Sequence, residues 1–310
     1  MNNYYLKKLI HFIIVLFGVL TLVFFLMRVS GSPINYYIDF TLSDEEIESQ
    51  KKEINILLGF DKPLYVQWYL YMGKVLSGDF GESFRYGVSA IEIVYEKLPY
   101  SIILALLSII FAILLGLPLG IISAEYRGKY IDNITTTFAI IGIAIPNFFL
   151  GIILIYIFSV TLKLLPTSGS NNFSNILLPV VTQSTGLLAL ICRLTRSSYL
   201  EVVNEDYVRT AKSKGLDKLI IIRRHILKNT LLPVITVISL SIPAFIGYMV
   251  VVETLFAWPG IGNLLLKSVS NRDYPIVICS VFLLCSITLV CFFITDILYS
   301  ILDPRIKLNK

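Results

Sequence analysis

The chain has 310 residues, of which 56% are hydrophobic and only 15% charged, and its formal net charge is +5. Soluble domains carry about 25% charged residues, so an ordinary soluble globular protein is excluded. No basic domain stands apart from the apolar runs, so the positive balance speaks for Lys and Arg gathered in the inner loops of a membrane protein, not for a nucleic-acid binder.

The first apolar run, residues 9–29, follows Lys7 and Lys8 and is long enough to cross a bilayer, which takes about 20 residues. It lacks a small-residue cleavage exit, so residues 1–29 are expected to be an uncleaved N-terminal anchor. Residues 30–98 hold 11 of the chain's 21 acidic residues and are expected to form a small extracytoplasmic insert. Further runs follow at 100–123, 134–162, 176–194, 231–252 and 276–297. The run 176–194 is the weakest, with Gln183, Ser184, Thr185 and Gly186 at its centre. Omitting it would put the flanking loops on the wrong sides, so six spans are predicted. The fold class is therefore an all-α polytopic membrane protein with six transmembrane helices, both termini cytoplasmic by the positive-inside rule.

Between the fourth and fifth runs lies EDYVRTAKSKGLDKLIIIRRHILKNTLLPVIT, residues 205–236, whose first 24 positions carry ten charges. Placing those charges in hydrocarbon would cost about 2.5–3.5 kcal/mol each, so the segment belongs in the cytoplasm. Residues 203–214 are expected to form a short helix that ends at Gly215, since glycine accepts positive φ without strain. Asp217 is expected to cap a second helix through Lys228, and Asn229 or Thr230 to cap the span starting at Leu231, with Pro233 near its first turn.

Helix, glycine elbow, helix and a Leu-Pro entry into a span resemble the coupling segment of ATP-binding-cassette importer permeases. Arg209-Thr210-Ala211 and Gly215 stand at the positions of the EAA-x-x-x-G core of that family, although the distance from Gly215 to Pro233 exceeds its general form. LGFDKPLYVQWYLYMGKVLSGDFGESF (58–84), KLPYSIILA (97–105), VETLFAWPGIGNLLLKSVSNRDYPIV (252–277) and DPRIK (303–307) resemble the dipeptide, oligopeptide and nickel branch, so the likeness covers nearly the whole chain.

The resemblance implies a permease subunit in the cell membrane, with a transmembrane domain at 99–300, a coupling segment at 203–230 and a cytoplasmic tail at 301–310. It implies that Tyr207, Val208, Arg209, Thr210, Ala211, Lys212, Gly215 and Leu216 contact an ATPase. The implied partners are a second homologous permease, two ATPase subunits that bind ATP and Mg, an extracytoplasmic substrate-binding protein and membrane lipid. The implied cargo is a dipeptide, an oligopeptide, or nickel or another metal chelate; FAWPGIG and NRDYPIV lean slightly toward the nickel members.

The sequence independently narrows the energy source. It has no G-x-x-x-x-G-K-[ST] phosphate loop, and Glu253 and Asp296 fall near span ends, where they make no mid-membrane relay of the kind that couples ions. A stand-alone secondary transporter or channel is the alternative, with Pro146 and Pro243 as sites for broken helices. An intramembrane enzyme is disfavoured, since Ser239 and Ser241 have no His or Lys in their own span. The four cysteines, Cys192, Cys279, Cys285 and Cys291, lie in or beside apolar runs without metal-ligand spacing, and the two histidines are far apart, so no metal site is expected. Pathway residues are sought among Asn147, Ser239, Ser241, Pro243 and Gly247. Trp68, Trp258, Pro259 and Gly260 are expected at an outer gate, a docking contact or an interfacial aromatic belt.

Overall fold

A computed structural model describes residues 2–29, 43–57 and 59–302; Leu58, the 30–42 part of the insert and the DPRIK tail lie outside the described residues. The regular elements there are helices: α1 Asn2–Val29, α2 Asp44–Leu57, α3 Leu64–Leu76, α4 Ala90–Glu125, α5 Tyr130–Ala144, α6 Asn147–Leu154, α7 Ser174–Val202, α8 Asp206–Ser213, α9 Lys218–Ile221, α10 Leu227–Leu255, α11 Ile261–Ser270 and α12 Tyr274–Leu302. Short π-helical stretches, Ile155–Thr161 and Ile222–Ile226, continue α6 and α9. Among the described residues five helices are long and apolar enough to cross a membrane, and a bent pair makes a sixth.

That pair is the third predicted span, and it is not one rod. Its legs, Tyr130–Ala144 and Asn147–Thr161, meet at 110°. Pro146 is the cause: a proline disfavours helical backbone in the residue before it, and Ile145 is accordingly extended at φ −81°, ψ 124°. Pro243, the other proline named as a break, lies inside the unbroken α10.

The expected boundary ahead of the fifth span is also corrected. Asp217 does cap α9, accepting a hydrogen bond from the Leu219 N–H at 3.1 Å, but no second cap follows. Lys218–Leu255 is one continuous helical run of 38 residues, about 57 Å at 1.5 Å per residue. The hydrocarbon core is about 30 Å thick, so the charged turns up to Lys228 extend beyond it without a break. Asn229, free of capping duty, donates from Nδ2 to the Tyr207 hydroxyl at 2.7 Å.

The chain divides into two compact units. One comprises the described residues of Met1–Pro99 with Gly260–Ile287. Its core joins Leu20 and Phe24 of α1 to Met72 and Val75 of α3, Ile261 and Leu264 of α11, and Ile276 and Cys279 of α12. Asp273 fastens the loop after α3 by accepting from Ser83 Oγ at 2.5 Å and the Phe84 N–H at 3.2 Å.

The other unit comprises Tyr100–Pro259 with the described part of Thr288–Lys310, and α7 is its centre. Of the most apolar window in α7, 61% is buried in protein, against 11–33% for the other unbroken spans. That explains its weak hydropathy: a helix surrounded by protein need not be lipid-like, and Thr182, Gln183, Ser184 and Thr195 are all almost fully buried on it. Gly116 and Gly120 of α4 let α7 approach so closely that a β-carbon on Gly120 would lie 2.6 Å from the Cys192 carbonyl oxygen. This is the small-xxx-small spacing that membrane helices use for close approach.

Candidate functional site

Two features of the second unit bear on function: the charged element around α8, and a cavity bounded by α5, α6, α7 and α10. The charged element begins with Asp206 in the first turn of α8 and Lys212 in its last, which suits the helix dipole at both ends. Val208 and Ala211, three residues apart and so on one face, are buried. They pack on Ala124 of α4, Tyr199 of α7 and Ile221 and Ile226 beyond the elbow. Full burial of Val208 contributes about 2 kcal/mol. Tyr207, Arg209, Thr210 and Lys212 are exposed, as are Gly215 and Leu216 past the helix end.

The elbow is closed by two backbone bonds, Leu216 N–H to Ala211 C=O at 3.4 Å and Gly215 N–H to Lys212 C=O at 3.0 Å. This is the paired pattern that ends a helix on a left-handed residue, and Gly215 has φ +72° with no atom within 4 Å of where a β-carbon would sit. Asp217 then starts α9 at once, so only Gly215, Leu216 and Asp217 separate the end of one cap from the start of the next helix.

Ionic contacts tie this element to the spans. Glu125, at the end of α4, accepts from the Tyr199 hydroxyl and pairs with the Lys218 ammonium. Asp132, 3% exposed, receives a two-pronged bond from Arg196 at 2.6 and 2.9 Å. It also accepts from Ser123 Oγ at 2.6 Å and the Gly128 N–H at 2.8 Å, so the α4–α5 turn is clamped to α7. Removing one member of a buried pair leaves the other charge without compensation, typically costing about 3–5 kcal/mol. Arg196→Ala is therefore expected to lose about 3 kcal/mol, the low end because the Arg196 side chain keeps 29% exposure. The check is a lowered melting midpoint of the purified protein in detergent.

The cavity measures about 580 Å³. Gln183, Gly186, Leu187 and Leu190 face it from α7, a helical i, i+3, i+4, i+7 stripe, and Leu240, Ser241, Ala244, Tyr248 and Val251 do so from α10. Pro146, Asn147 and Phe148 bring the broken corner of the α5–α6 pair into the wall. Among the described residues no Asp, Glu, Lys, Arg or His lines it. Of the pathway residues sought in the sequence, Asn147 and Ser241 line this cavity and Ser239, Pro243 and Gly247 do not. Ser239 is buried and bonded to the Ile235 carbonyl, Pro243 is buried, and Gly247 is exposed outside the lining. Gln183 and Gly186 of α7 and Tyr248 of α10 line it without having been sought; the signal for the first two was the stripe on α7, hidden because the polar centre of that run counted only against the span.

The aromatic residues sought at an outer gate are built into packing. Trp68 of α3 sets its ring edge-on to Phe17 at 5.5 Å and donates from Nε1 to Thr21 Oγ1 at 3.2 Å. Trp258, 5% exposed, donates from Nε1 to the Tyr100 carbonyl at 3.0 Å. Pro259 is half-buried, and the buried Gly260 starts α11 in extended geometry.

Residues 116–308 match the family described as binding-protein-dependent transport system inner membrane component. The chain is 36% identical to the oligopeptide transport system permease protein AppB of Bacillus subtilis, covering 99% of this chain and 100% of that one. It is 36% identical to the dipeptide transport system permease protein DppB of the same organism, over 100% and 99%. It is 34% identical to the glutathione transport system permease protein GsiC of Escherichia coli K12, over 99% of each. Among solved structures, the inward-facing methionine ABC transporter MetNI is similar with a TM-score of 0.54 at 17% identity, over 68% of this chain and 96% of that one. At that identity the likeness concerns the fold.

Proposed function

The chain belongs to the family of binding-protein-dependent transport system inner membrane components, and from that premise we propose that it forms half of the membrane pathway of a peptide importer. Its relatives are permease subunits rather than enzymes, and membership implies ATPase and substrate-binding components beside it. The proposed assembly has a second, homologous permease completing the pathway, two ATPase subunits that bind ATP and Mg, and one extracytoplasmic binding protein that delivers cargo.

The observation that carries the reading is the full-length likeness to permeases whose names specify oligopeptides, dipeptides and glutathione. The proposed orientation puts both termini and residues 203–230 in the cytoplasm and the insert 30–98 outside, and the placement of Lys and Arg supports it. In that orientation the exposed residues Tyr207, Arg209, Thr210, Lys212, Gly215 and Leu216 meet the ATPase, while Val208 and Ala211 hold α8 to the spans. Nucleotide-driven closure of the two ATPases would move α8, and with it α4 and α7, in rigid-body alternation. Trp68, Trp258, Pro259 and Gly260 act in this scheme by shaping the outer side on which the binding protein docks.

Reconstitution into liposomes tests the reading, first with this chain alone and then with the whole assembly. ATP-dependent uptake of labelled di- and tripeptides by the full assembly only is the expected result. Uptake by the chain alone would replace the importer with a secondary transporter or channel. Uptake of nickel chelates and not of peptides would overturn the cargo.

A further inference from the structure

The corner between α5 and α6 has a chemistry that the family assignment does not use. An α-helix begins with N–H groups that have no partner inside the helix, and Ser, Thr, Asp or Asn normally supplies an oxygen to them. Here the residue before α6 is Pro146, whose side chain has no oxygen, and no side chain caps the turn. The N–H groups of Asn147, Phe148 and Phe149 thus begin α6 at the wall of the cavity that Pro146, Asn147 and Phe148 line.

A second observation lies across the same space. Gln183 is 1% exposed and lines the cavity. Its Nε2 donates to the Phe245 carbonyl at 2.9 Å, while its buried Oε1 has no partner among the described residues. One turn further along α7, a β-carbon at Gly186 would sit 3.9 Å from Asn147 Oδ1, so the Gln183 face of α7 adjoins the start of α6. One wall therefore presents donors aligned with a helix dipole, and buried in the other is an acceptor without a protein partner, in a cavity that no charged side chain lines among the described residues.

We propose that this corner is a carboxylate subsite of the pathway: the N–H groups of Asn147–Phe149 receive the C-terminal carboxylate of a passing peptide while Gln183 Oε1 accepts an N–H from the same molecule. The inference rests on the peptide reading above. A carboxylate crossing a low-dielectric cavity needs compensation, and the start of a half-helix supplies it without a fixed countercharge that would hold the cargo. Gly186 keeps the approach between the walls clear.

The test uses the full reconstituted importer and two probes, tri-alanine and tri-alanine C-terminal amide. Each is supplied with binding protein saturated by that peptide, so that delivery does not decide the rate. The free acid is expected to enter about five- to tenfold faster than the amide, the scale of a favourable charge at a helix terminus. Asn147→Asp sets a carboxylate among the same N–H groups, and the acid-to-amide ratio is expected to fall to near one. Gly186→Leu sets a side chain beside Asn147, where a β-carbon would sit 3.9 Å from its Oδ1, and is expected to lower the ratio as well by filling the space before those groups, which carries the test if Asn147→Asp does not assemble. Equal wild-type rates, or a wild-type ratio kept in the assembled variants, would overturn the subsite and leave the peptide importer standing. Failure of the wild-type assembly to import either peptide would instead sink the peptide reading itself.

Discussion

Gly120→Leu is expected to disrupt the packing of α4 on α7 and to lower stability by about 3 kcal/mol or more, beyond the usual 1–3 kcal/mol of overpacking. The reason is the identity of the obstacle. A β-carbon at Gly120 lies 2.6 Å from a backbone carbonyl oxygen and from Thr195 Cβ, and neither can rotate away, so the helices themselves must part. Gly18 of α1 is the control, because nothing lies within 4 Å of its β-carbon position. Gly18→Ala is expected to change stability by less than about 1 kcal/mol, toward greater stability, since alanine is the better helix former. Melting midpoints of both variants in the same detergent decide between them. A Gly120→Leu protein that melts with the wild type would refute the close approach.

Gly215→Val is expected to fold and yet to lose uptake. No atom crowds the β-carbon position, but the backbone sits at φ +72°, where an L-residue costs about 1–2 kcal/mol and a β-branched one is a clear outlier. Strain of that size is readily relieved by turning the exit of α8, which is held to the spans chiefly through Val208 and Ala211. In the assembled importer, ATP hydrolysis should continue while peptide uptake falls about tenfold, since misdirecting α8 by about 1.4 kcal/mol suffices for that factor. Gly215→Asn is the discriminating partner, because asparagine enters the left-handed region more readily than most other non-glycine residues; it should retain most of the uptake. Equal losses in the two variants would show that the requirement is for a missing side chain at the ATPase surface and not for the backbone conformation.

Sequence patterns gave up the fold where one physical cause dominated. Long uncharged runs marked most of the spans, and Gly215 and Asp217 marked the elbow, because hydropathy and cap chemistry are local. The corner at Ile145–Pro146 was half visible: proline announced a break, but nothing local distinguishes Pro146, which bends its span by 110°, from Pro243, which α10 absorbs. The expected boundary near Leu231 was wrong for the converse reason. Charge marks where the membrane begins, and a helix that continues past that boundary carries no signal of the crossing. The cavity was least legible, since Asn147, Gln183 and Tyr248 meet only after three helices are brought together.

The burial of α7 has a consequence for the making of the protein. Its most apolar window reaches a mean hydropathy of only 1.6, against 2.2–2.9 for the other unbroken spans, so it is the segment that leaves the translocon for lipid least readily. Yet α4, α5, α6 and α10 of the second unit all pack on it. Synthesis delivers α4, α5 and α6 first and α10 afterwards, so during the interval α7 must be retained by helices already in the bilayer. The Asp132–Arg196 clamp and the Gly120 approach are contacts of that early set. A chain weakened there is expected to insert α7 less completely, which a lower yield of the protein in the membrane fraction would register.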